Sequence, residues 1–174
     1  DRRQRQMCIR DRIYAAKGRP SDNPLIVHIA DIEALYKLSC EVPDKALKLA
    51  DKFWPGPLTM ILKKSDIVPD SITGGLGTVA IRMPSHKVAA ELIRTSGGYI
   101  AAPSANTSGK PSPTRASHVI KDLSGKIDMI IEDDTVDIGV ESTIIDLSEE
   151  VPTILRPGYI TKEMFEEVIG VVTV

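Results

Sequence analysis

The sequence of 174 residues has the length of one domain, and a chain of this length buries enough surface to fold without disulfide or metal support. Its 42% hydrophobic and 26% charged residues are typical of a globular protein, and its formal net charge of −2 excludes a globally basic nucleic-acid binder but allows a local basic cleft. Two cysteines provide neither a disulfide framework nor a zinc site, and no apolar run reaches the ~18 residues of a membrane span. We therefore expect a soluble, cytoplasmic protein with no membrane association.

The first twelve residues differ from the rest of the chain. They contain five arginines and two aspartates and show no apolar periodicity, and without them the chain carries a net charge of −5. We interpret residues 1–12 as a non-native or unmatched leader and residues 13–174 as one domain. The alternative is a basic arm that contacts nucleic acid or an acidic partner.

The spacing of apolar residues predicts interleaved helices and strands after this segment. In chain order, these are the end of a helix at 13–16, a strand at 25–29, a helix capped by Asp31, a helix over 44–54, strands at 58–63 and 78–83, a helix capped by Ser85, a buried strand at 99–102, a helix capped by Thr114, strands at 127–131, 142–147 and 153–155, and a helix capped by Thr161 and ended by Gly170. Short loops between these elements indicate an α/β or α+β domain built around one twisted, mixed sheet.

The first two candidate sites contain charged and polar residues that could bind an anion. Lys17 and Arg19 stand one residue apart in a loop, with Asn23 and His28 behind them, and this pair suits a triphosphate because arginine offers a bidentate fork and lysine a mobile charge. An exposed basic turn is the alternative. Arg82 lies on a strand with apolar neighbours, where it needs a carboxylate from a ligand or from a structural salt bridge.

Two further clusters follow predicted strands. Residues 102–109 (APSANTSG) are small and polar and are followed by Lys110 and Ser112; such residues let backbone N–H groups approach an anion, although they also form turns and caps. Residues 139–143 (GVEST) precede Arg156 in the same way. The sequence contains no P-loop or dinucleotide-binding glycine motif, no metal-like spacing of histidines and no nucleophilic triad, so these residues alone leave the reaction open.

Six separated motifs, taken together, resemble the YrdC-like family of threonylcarbamoyl-AMP synthases. They are KGRPSDNPLIVHI, WPGPLTMIL, TVAIRMP, APSANTSGKPSPT, GVESTIID and ILRPG, in the order and spacing of the family, and they extend the match over about residues 13–174. The resemblance implies a twisted mixed sheet around a concave, positively charged cleft. It also implies synthesis of threonylcarbamoyl-AMP from L-threonine, bicarbonate or CO₂, and ATP with Mg²⁺, with release of pyrophosphate.

The resemblance further implies a role for individual residues and for partners. Lys17 and Arg19 match the K-x-R pair of the catalytic centre, and Ser104 and Asn106 match its S-x-N pair. These four residues match the ATP site, together with Asn23, Ser112 and Arg156. Residues matching the threonine site are His28, Thr78, Arg82, Ala102 and Ser142. The product would supply a downstream tRNA threonylcarbamoyltransferase complex that modifies the adenosine next to the anticodon. The resemblance leaves a direct RNA contact open.

The chain departs from the family pattern at its start. Family members open with a strand and a T-x-T-V-Y-G-L segment that supplies a threonine-site residue, and residues 1–12 do not match this segment. We therefore expect a copy truncated at the N-terminus. Three alternatives are a carbamoyl-adenylating relative that serves metallocentre maturation, a non-catalytic RNA- or partner-binding module, and an inert fragment of the same fold.

Overall fold

Strands and helices alternate along the chain in the computed structural model, which describes residues 2–20, 22–133 and 141–174 and the side chains from Ile9 onward. Its strands are β1 (Ile26–Ile29), β2 (Leu58–Lys63), β3 (Thr78–Arg82), β4 (Tyr99–Ala102), β5 (Thr143–Asp146) and β6 (Thr153–Arg156). Its helices are α1 (Arg2–Lys17), α2 (Glu33–Leu38), α3 (Asp44–Phe53), α4 (Asp70–Thr73), α5 (Lys87–Thr95), α6 (Ala116–Leu123) and α7 (Lys162–Ile169). The short helix α4 was not among the predicted elements.

The six strands form one mixed sheet in the order β4-β1-β3-β2-β5-β6. The pairs β1–β3 and β2–β5 are parallel, and the other three pairs are antiparallel. The register places one residue from each strand in a single row across the sheet, namely Ile100, His28, Arg82, Thr59, Ile144 and Arg156. Because paired residues of adjacent strands point to the same side of a sheet, this row defines one face, which we call the cleft face.

The opposite face of the sheet carries the hydrophobic core. Alternation along β3 shows the two faces clearly, since Val79 and Ile81 are buried whereas Thr78, Ala80 and Arg82 are only half-buried. The buried strand residues belong to one apolar cluster with residues of α2, α3 and α7. This layered arrangement confirms the predicted single domain with a mixed sheet and flanking helices, and the core fixes which strand residues reach the cleft face.

Two predicted strands need correction. Residues 127–131 form bends and irregular chain instead of a strand. Ile127, Met129 and Ile131 are exposed, and no strand in the part of the chain that the structure describes pairs with them. Residues 99–102 do form a strand, but β4 lies at the edge of the sheet and Tyr99 is 41% exposed. The prediction that this strand is buried is therefore wrong.

Three of the four predicted helix caps also lie at other residues. The N-cap positions of α2, α5 and α6 are Ile32, His86 and Arg115, not Asp31, Ser85 and Thr114. The predicted cap at Thr161 is confirmed, because its hydroxyl accepts a hydrogen bond from the Met164 backbone N–H, and Gly170 follows the last residue of α7. Short polar side chains favour caps, but Asp31 instead approaches Arg94.

Helix α1 continues through the segment predicted to be a leader. It runs without a break from Arg2 to Lys17 and ends at Gly18, which has a φ of 60° and so adopts the left-handed conformation that glycine tolerates best. Its last residue carries one of the predicted site side chains. Within the described ranges, no helix combines the length and apolar character needed to cross a membrane.

Candidate functional site

Lys17 at the end of α1 attaches the helix to the loop of residues 103–113, which we call the 103–113 loop. The side chain is buried, with the residue only 3% exposed, and its ammonium donates to the carbonyl oxygens of Ser104 and Asn106 and to Asn106 Oδ1 at 3.3 Å. In return, the Ser108 N–H donates to the Lys17 carbonyl at 2.8 Å. Burial, followed by the neighbouring Arg19 charge, lowers the pKa of Lys17.

The same loop holds its polar side chains in fixed orientations. Ser104 Oγ donates to Asn106 Oδ1, and Asn106 Nδ2 donates to the Lys110 carbonyl at 2.6 Å. Asp122 on α6 accepts from the Thr107 N–H at 3.2 Å and from Lys110 Nζ at 2.6 Å. The hydrogen bond from Lys110, with that from Thr107, lowers the pKa of the Asp122 carboxyl.

Arg19 and Asn23 lie beside the end of α1. The Arg19 guanidinium lies 5.9 Å from the centroid of the Tyr14 ring and donates to the Pro24 carbonyl at 3.1 Å. Its Nε is buried without a hydrogen-bond partner. The Tyr14 hydroxyl donates to the Asn23 carbonyl, so the loop after α1 folds back over the helix and presents Arg19 next to Lys17.

Arg82 and His28 are neighbours on the cleft face because β1 and β3 pair in parallel. Arg82 Nε donates to the Gly56 carbonyl at 3.2 Å, and no carboxylate of the described residues lies within ion-pair distance of its guanidinium. Burial and the Arg156 charge lower the pKa of Arg82. Burial and the Arg82 charge lower the pKa of His28 to about 4, and its Nδ1 has no hydrogen-bond partner.

Arg156 is held from two sides at the end of β6. Its Nε and Nη2 donate to the Ser142 carbonyl at 3.0 and 2.8 Å, and Nη2 also donates to Ser142 Oγ at 3.0 Å. Its Nη1 lies 2.8 Å from Glu141 Oε2. Glu141 Oε1 accepts from the Ser112 hydroxyl at 2.6 Å, and Ser142 Oγ lies 2.8 Å from the hydroxyl of buried Thr59.

The structure thus brings the predicted residues together in two connected groups. Lys17, Ser104 and Asn106 form the first group through direct hydrogen bonds, with Arg19 and Asn23 beside it. The second group lies on or next to the cleft face. It consists of His28, Arg82, Ser142, Arg156 and Ser112. Gly139 and Val140 of the GVEST motif lie outside the described residues.

Two predicted threonine-site residues lie farther along the sheet. Thr78 is at the opposite end of β3 from Arg82, which is about 13 Å away at the usual rise of a strand. Ala102 pairs with Ile26, two residues before His28 on β1. The structure therefore places both on the cleft face but does not bring Thr78 next to Arg82.

Sequence reasoning did not single out Thr59, Glu141 or Asp122. Glu141 stands inside the quoted GVEST motif, where its position next to Ser142 is a usable signal. Thr59 looks like one more strand residue, and Asp122 like one more surface residue of a helix, because only the tertiary structure brings them to Ser142 and Thr107.

The chain belongs to the family whose sequence model is named Sua5_yciO_yrdC and described as "Telomere recombination", because that model matches residues 6–158. The mixed sheet of six strands is thus the family's fold in this chain. The match to the YrdC-like family that the motifs predicted is confirmed.

Individual relatives indicate an activity more specifically than the family model does. The chain is 59% identical over 159 residues to the threonylcarbamoyl-AMP synthase of Pyrococcus abyssi, covering 91% of this chain and 47% of the relative. It is 58% identical over 160 residues to the threonylcarbamoyl-AMP synthase of Bacillus subtilis, covering 91% and 46%. The chain therefore spans about half the length of these curated relatives.

Solved structures agree with the sequence matches. The crystal structure of P. abyssi Sua5 complexed with L-threonine superposes with a TM-score of 0.90 at 57% identity, covering 94% of this chain and 48% of that one. Escherichia coli YciO has a TM-score of 0.78 at 24% identity, covering 89% of this chain and 75% of that one. The second likeness shows the fold alone.

Proposed function

We propose that this chain synthesises threonylcarbamoyl-AMP from L-threonine, bicarbonate or CO₂, and ATP, and releases pyrophosphate. The observation that carries the proposal is the identity of 59% and 58% to two threonylcarbamoyl-AMP synthases over 91% of the chain. The arrangement of the described residues supports it, since Arg82 and Arg156 lie on one face of the sheet and Arg82 pairs with no described carboxylate. Such a face suits two anionic substrates that must meet.

The proposed reaction needs no nucleophile from the protein. The threonine amine adds to CO₂ and loses a proton to give a carbamate, and a carbamate oxygen then attacks the α-phosphorus of ATP while pyrophosphate leaves. The chain's task is to hold these groups together and to neutralise charge, and positioning of this kind supplies about 7–11 kcal/mol in well-oriented reactions. A cleft that excludes water would also protect the carbamate.

Each substrate is assigned to one group of residues. The Arg82 guanidinium would bind the threonine carboxylate, because it is half-buried and pairs with no described carboxylate. His28, Ser142, Thr78 and Ala102 would complete that side of the cleft. Arg19, Arg156, Asn23, Ser112 and the Ser104–Asn106 pair would contact ATP. Lys17 would act mainly through the 103–113 loop, because its three N–H groups are already donated to that loop.

Mg²⁺ enters this scheme as part of the ATP substrate. Among the described residues, no three histidine, cysteine, aspartate or glutamate side chains cluster to hold a metal ion. Mg²⁺ is commonly bound through phosphate oxygens, waters and one or two carboxylates, and ATP brings those phosphate oxygens itself. The ion would neutralise charge on the polyphosphate.

The product defines the chain's place among its partners. We assign the chain to the cytoplasm, where a tRNA threonylcarbamoyltransferase complex would consume the threonylcarbamoyl-AMP to modify the adenosine next to the anticodon. A mixed anhydride of a carbamate and a phosphate is an activated acyl donor, so a transferase must take it up soon after release. A direct contact with tRNA remains part of the proposal.

The proposal is tested by pyrophosphate release from ATP and Mg²⁺ with and without L-threonine and bicarbonate. Release that requires both additives is the expected result. Replacing both by carbamoyl phosphate tests a carbamoyl-adenylating activity, and release there alone would overturn the proposal. No release under any condition, together with tRNA binding at micromolar affinity, would instead favour the non-catalytic module.

Arg82→Gln gives the assay its matched variant. We expect the KM for threonine to rise at least about tenfold, because a charge-assisted hydrogen bond to the carboxylate is lost. Arg94→Gln is the control, since this arginine of α5 already pairs with the carboxylates of Asp31 and Glu91. An equal effect of both substitutions would contradict the assignment of Arg82.

A further inference from the structure

The 103–113 loop is attached to the rest of the molecule at three places. Lys17 holds its beginning through Ser104 and Asn106. Asp122 holds its middle through the Thr107 N–H and the Lys110 ammonium. Glu141 holds its end through the Ser112 hydroxyl at 2.6 Å. The first two attachments come from helices, whereas Glu141 precedes the strand β5 by two residues.

The attachment through Glu141 joins opposite sides of the sheet. The loop leaves β4, which is one edge strand, and Arg156 lies on β6, which is the other. Five strand spacings separate these edges, about 24 Å along a flat sheet. The loop therefore reaches from the β4 edge to the residue that lies two positions before β5, and the Glu141 carboxylate accepts from the Ser112 hydroxyl on one oxygen and lies 2.8 Å from Arg156 Nη1 with the other.

The same carboxylate is connected to the residues assigned to threonine. Arg156 also donates to Ser142 Oγ at 3.0 Å, and Ser142 Oγ lies 2.8 Å from Thr59 Oγ1. Thr59 in turn pairs with Arg82 in the register of β2 and β3. One chain of polar contacts therefore runs from the loop, through Glu141, Arg156 and Ser142, to Thr59 on β2, which is the strand next to the one that carries Arg82.

We propose that Glu141 is a positioning residue for the nucleotide, which fixes Ser112 and Arg156 relative to each other across the cleft face. The inference rests on the proposed function, because it takes ATP as the ligand of those two residues. Glu141 does not itself bind the polyphosphate, since two anions repel. Its effect comes from holding a hydroxyl and a guanidinium, which would otherwise move independently, at one separation.

The experiment compares the affinity for ATP with Mg²⁺, measured by isothermal titration calorimetry, among matched variants. Glu141→Ala removes both contacts, and we expect the Kd to rise about tenfold. Glu141→Gln keeps one acceptor but loses the charge, and we expect a smaller rise. The control is Glu41→Gln, which breaks an ion pair of similar length with Lys63 (2.9 Å) at the opposite end of β2 from Thr59, and its Kd should equal that of the unmodified chain.

A double-mutant cycle separates positioning from a general loss of structure. If Glu141 acts through Ser112, Ser112→Ala combined with Glu141→Ala should weaken ATP binding less than the sum of the two single effects. The urea unfolding midpoint of each variant provides the folding control. Additive effects on Kd would overturn the inference, as would a Glu141→Ala variant that binds ATP as tightly as, or more tightly than, the unmodified chain.

The outcomes for the two proposals are distinguishable. If the unmodified chain binds ATP but releases no pyrophosphate with threonine and bicarbonate, the proposed function fails while the comparison of Kd values still decides the role of Glu141. If threonine-dependent release occurs and Glu141→Ala leaves the Kd unchanged, only the inference fails. If the unmodified chain does not bind ATP, both fail.

Discussion

At the scale of single residues, the Lys17 side chain makes contacts in the structure that differ from the phosphate contact that its motif predicts. The K-x-R pair suggests two cations facing a polyphosphate. The structure instead buries the Lys17 ammonium under the 103–113 loop, where its donors are taken by the Ser104 carbonyl and by the carbonyl and side chain of Asn106. Arg19 remains half-exposed and its Nε has no partner, so the second cation of the pair is the better candidate for direct ligand contact.

We predict that Lys17→Met destabilises the fold by about 3 kcal/mol, because it leaves several buried acceptors without donors and each such loss costs about 1–3 kcal/mol. Urea denaturation measures the change in unfolding free energy. Lys48→Met is the control, since Lys48 is exposed on α3, and its effect should stay within about 0.5 kcal/mol. Equal stability of the two variants would show that the buried contacts of Lys17 contribute nothing.

His28 predicts a pH dependence of stability. Burial and the Arg82 charge lower the pKa of His28 to about 4, from its usual value of 6.5. Between these two values the unfolded chain binds a proton that the folded chain does not, so stability falls as the pH is lowered through this window, by at most about 1.4 kcal/mol per pH unit. Above pH 6.5 both states are neutral at this ring, and its contribution is constant.

His28→Gln should reduce this acid sensitivity, because glutamine keeps a polar side chain that does not titrate. Unfolding free energies measured at pH 7, 6, 5 and 4 give the slope for each variant. His118→Gln is the control, because that ring is solvent-exposed on α6, and its slope should match the unmodified chain. A His28→Gln slope that also matches the unmodified chain would show that His28 is not the residue responsible.

At the scale of the elements, the periodicity of apolar residues predicted strands and helices better than capping residues predicted where the helices begin. The alternation at residues 78–83 predicted both β3 and its two faces. In a half-buried strand, successive side chains point to opposite faces, so apolar and polar residues alternate. Caps were harder, since Asp31, Ser85 and Thr114 have suitable side chains but the helices begin elsewhere. Residues 127–131 are apolar except for Asp128, yet a strand needs a partner, and no strand among the described residues pairs with them.

The segment that follows β6 lies close to the start of β5, and this contact between elements allows a prediction. A Cβ added at Gly158 would lie 2.5 Å from the Glu141 carbonyl oxygen and 2.7 Å from the Thr143 backbone nitrogen. Gly158→Ala should therefore push this segment from β5 and destabilise the fold by about 1–3 kcal/mol. It should also weaken ATP binding, because Arg156 is only two residues away.

Gly77→Ala is the matched control for this substitution. A Cβ there meets nothing within 4 Å, and its lower flexibility in the unfolded chain should leave stability unchanged or raise it by up to about 1 kcal/mol. Thermal unfolding and ATP titration of the two variants provide the comparison. A Gly158→Ala variant with unchanged stability would mean that the backbone yields at no cost.

At the scale of the whole molecule, the sequence singled out candidate site residues but could not predict how they are arranged. The motifs carry Lys17, Arg82 and Arg156 far apart along the chain, and the strand order that places Arg82 and Arg156 on one face cannot be read from any local pattern. Thr59 and Asp122 escaped notice for the same reason. Their roles depend on contacts with residues that are distant in sequence.

The distribution of charge over the molecule leads to the last prediction. The formal net charge is −2, so the whole chain does not attract ATP over long distances, and attraction must come from the local cations Arg19, Arg82 and Arg156. Salt screens partly exposed charges, with a Debye length of about 10 Å at 0.1 M and about 3 Å at 1 M. Raising NaCl from about 0.05 to 0.5 M should therefore raise the Kd for ATP about tenfold. L-Threonine is the control ligand, because it carries no net charge at neutral pH, and its Kd should change less than about twofold. An ATP affinity as insensitive to salt as that for threonine would mean that hydrogen bonds and shape, not the cations of the cleft face, hold the nucleotide.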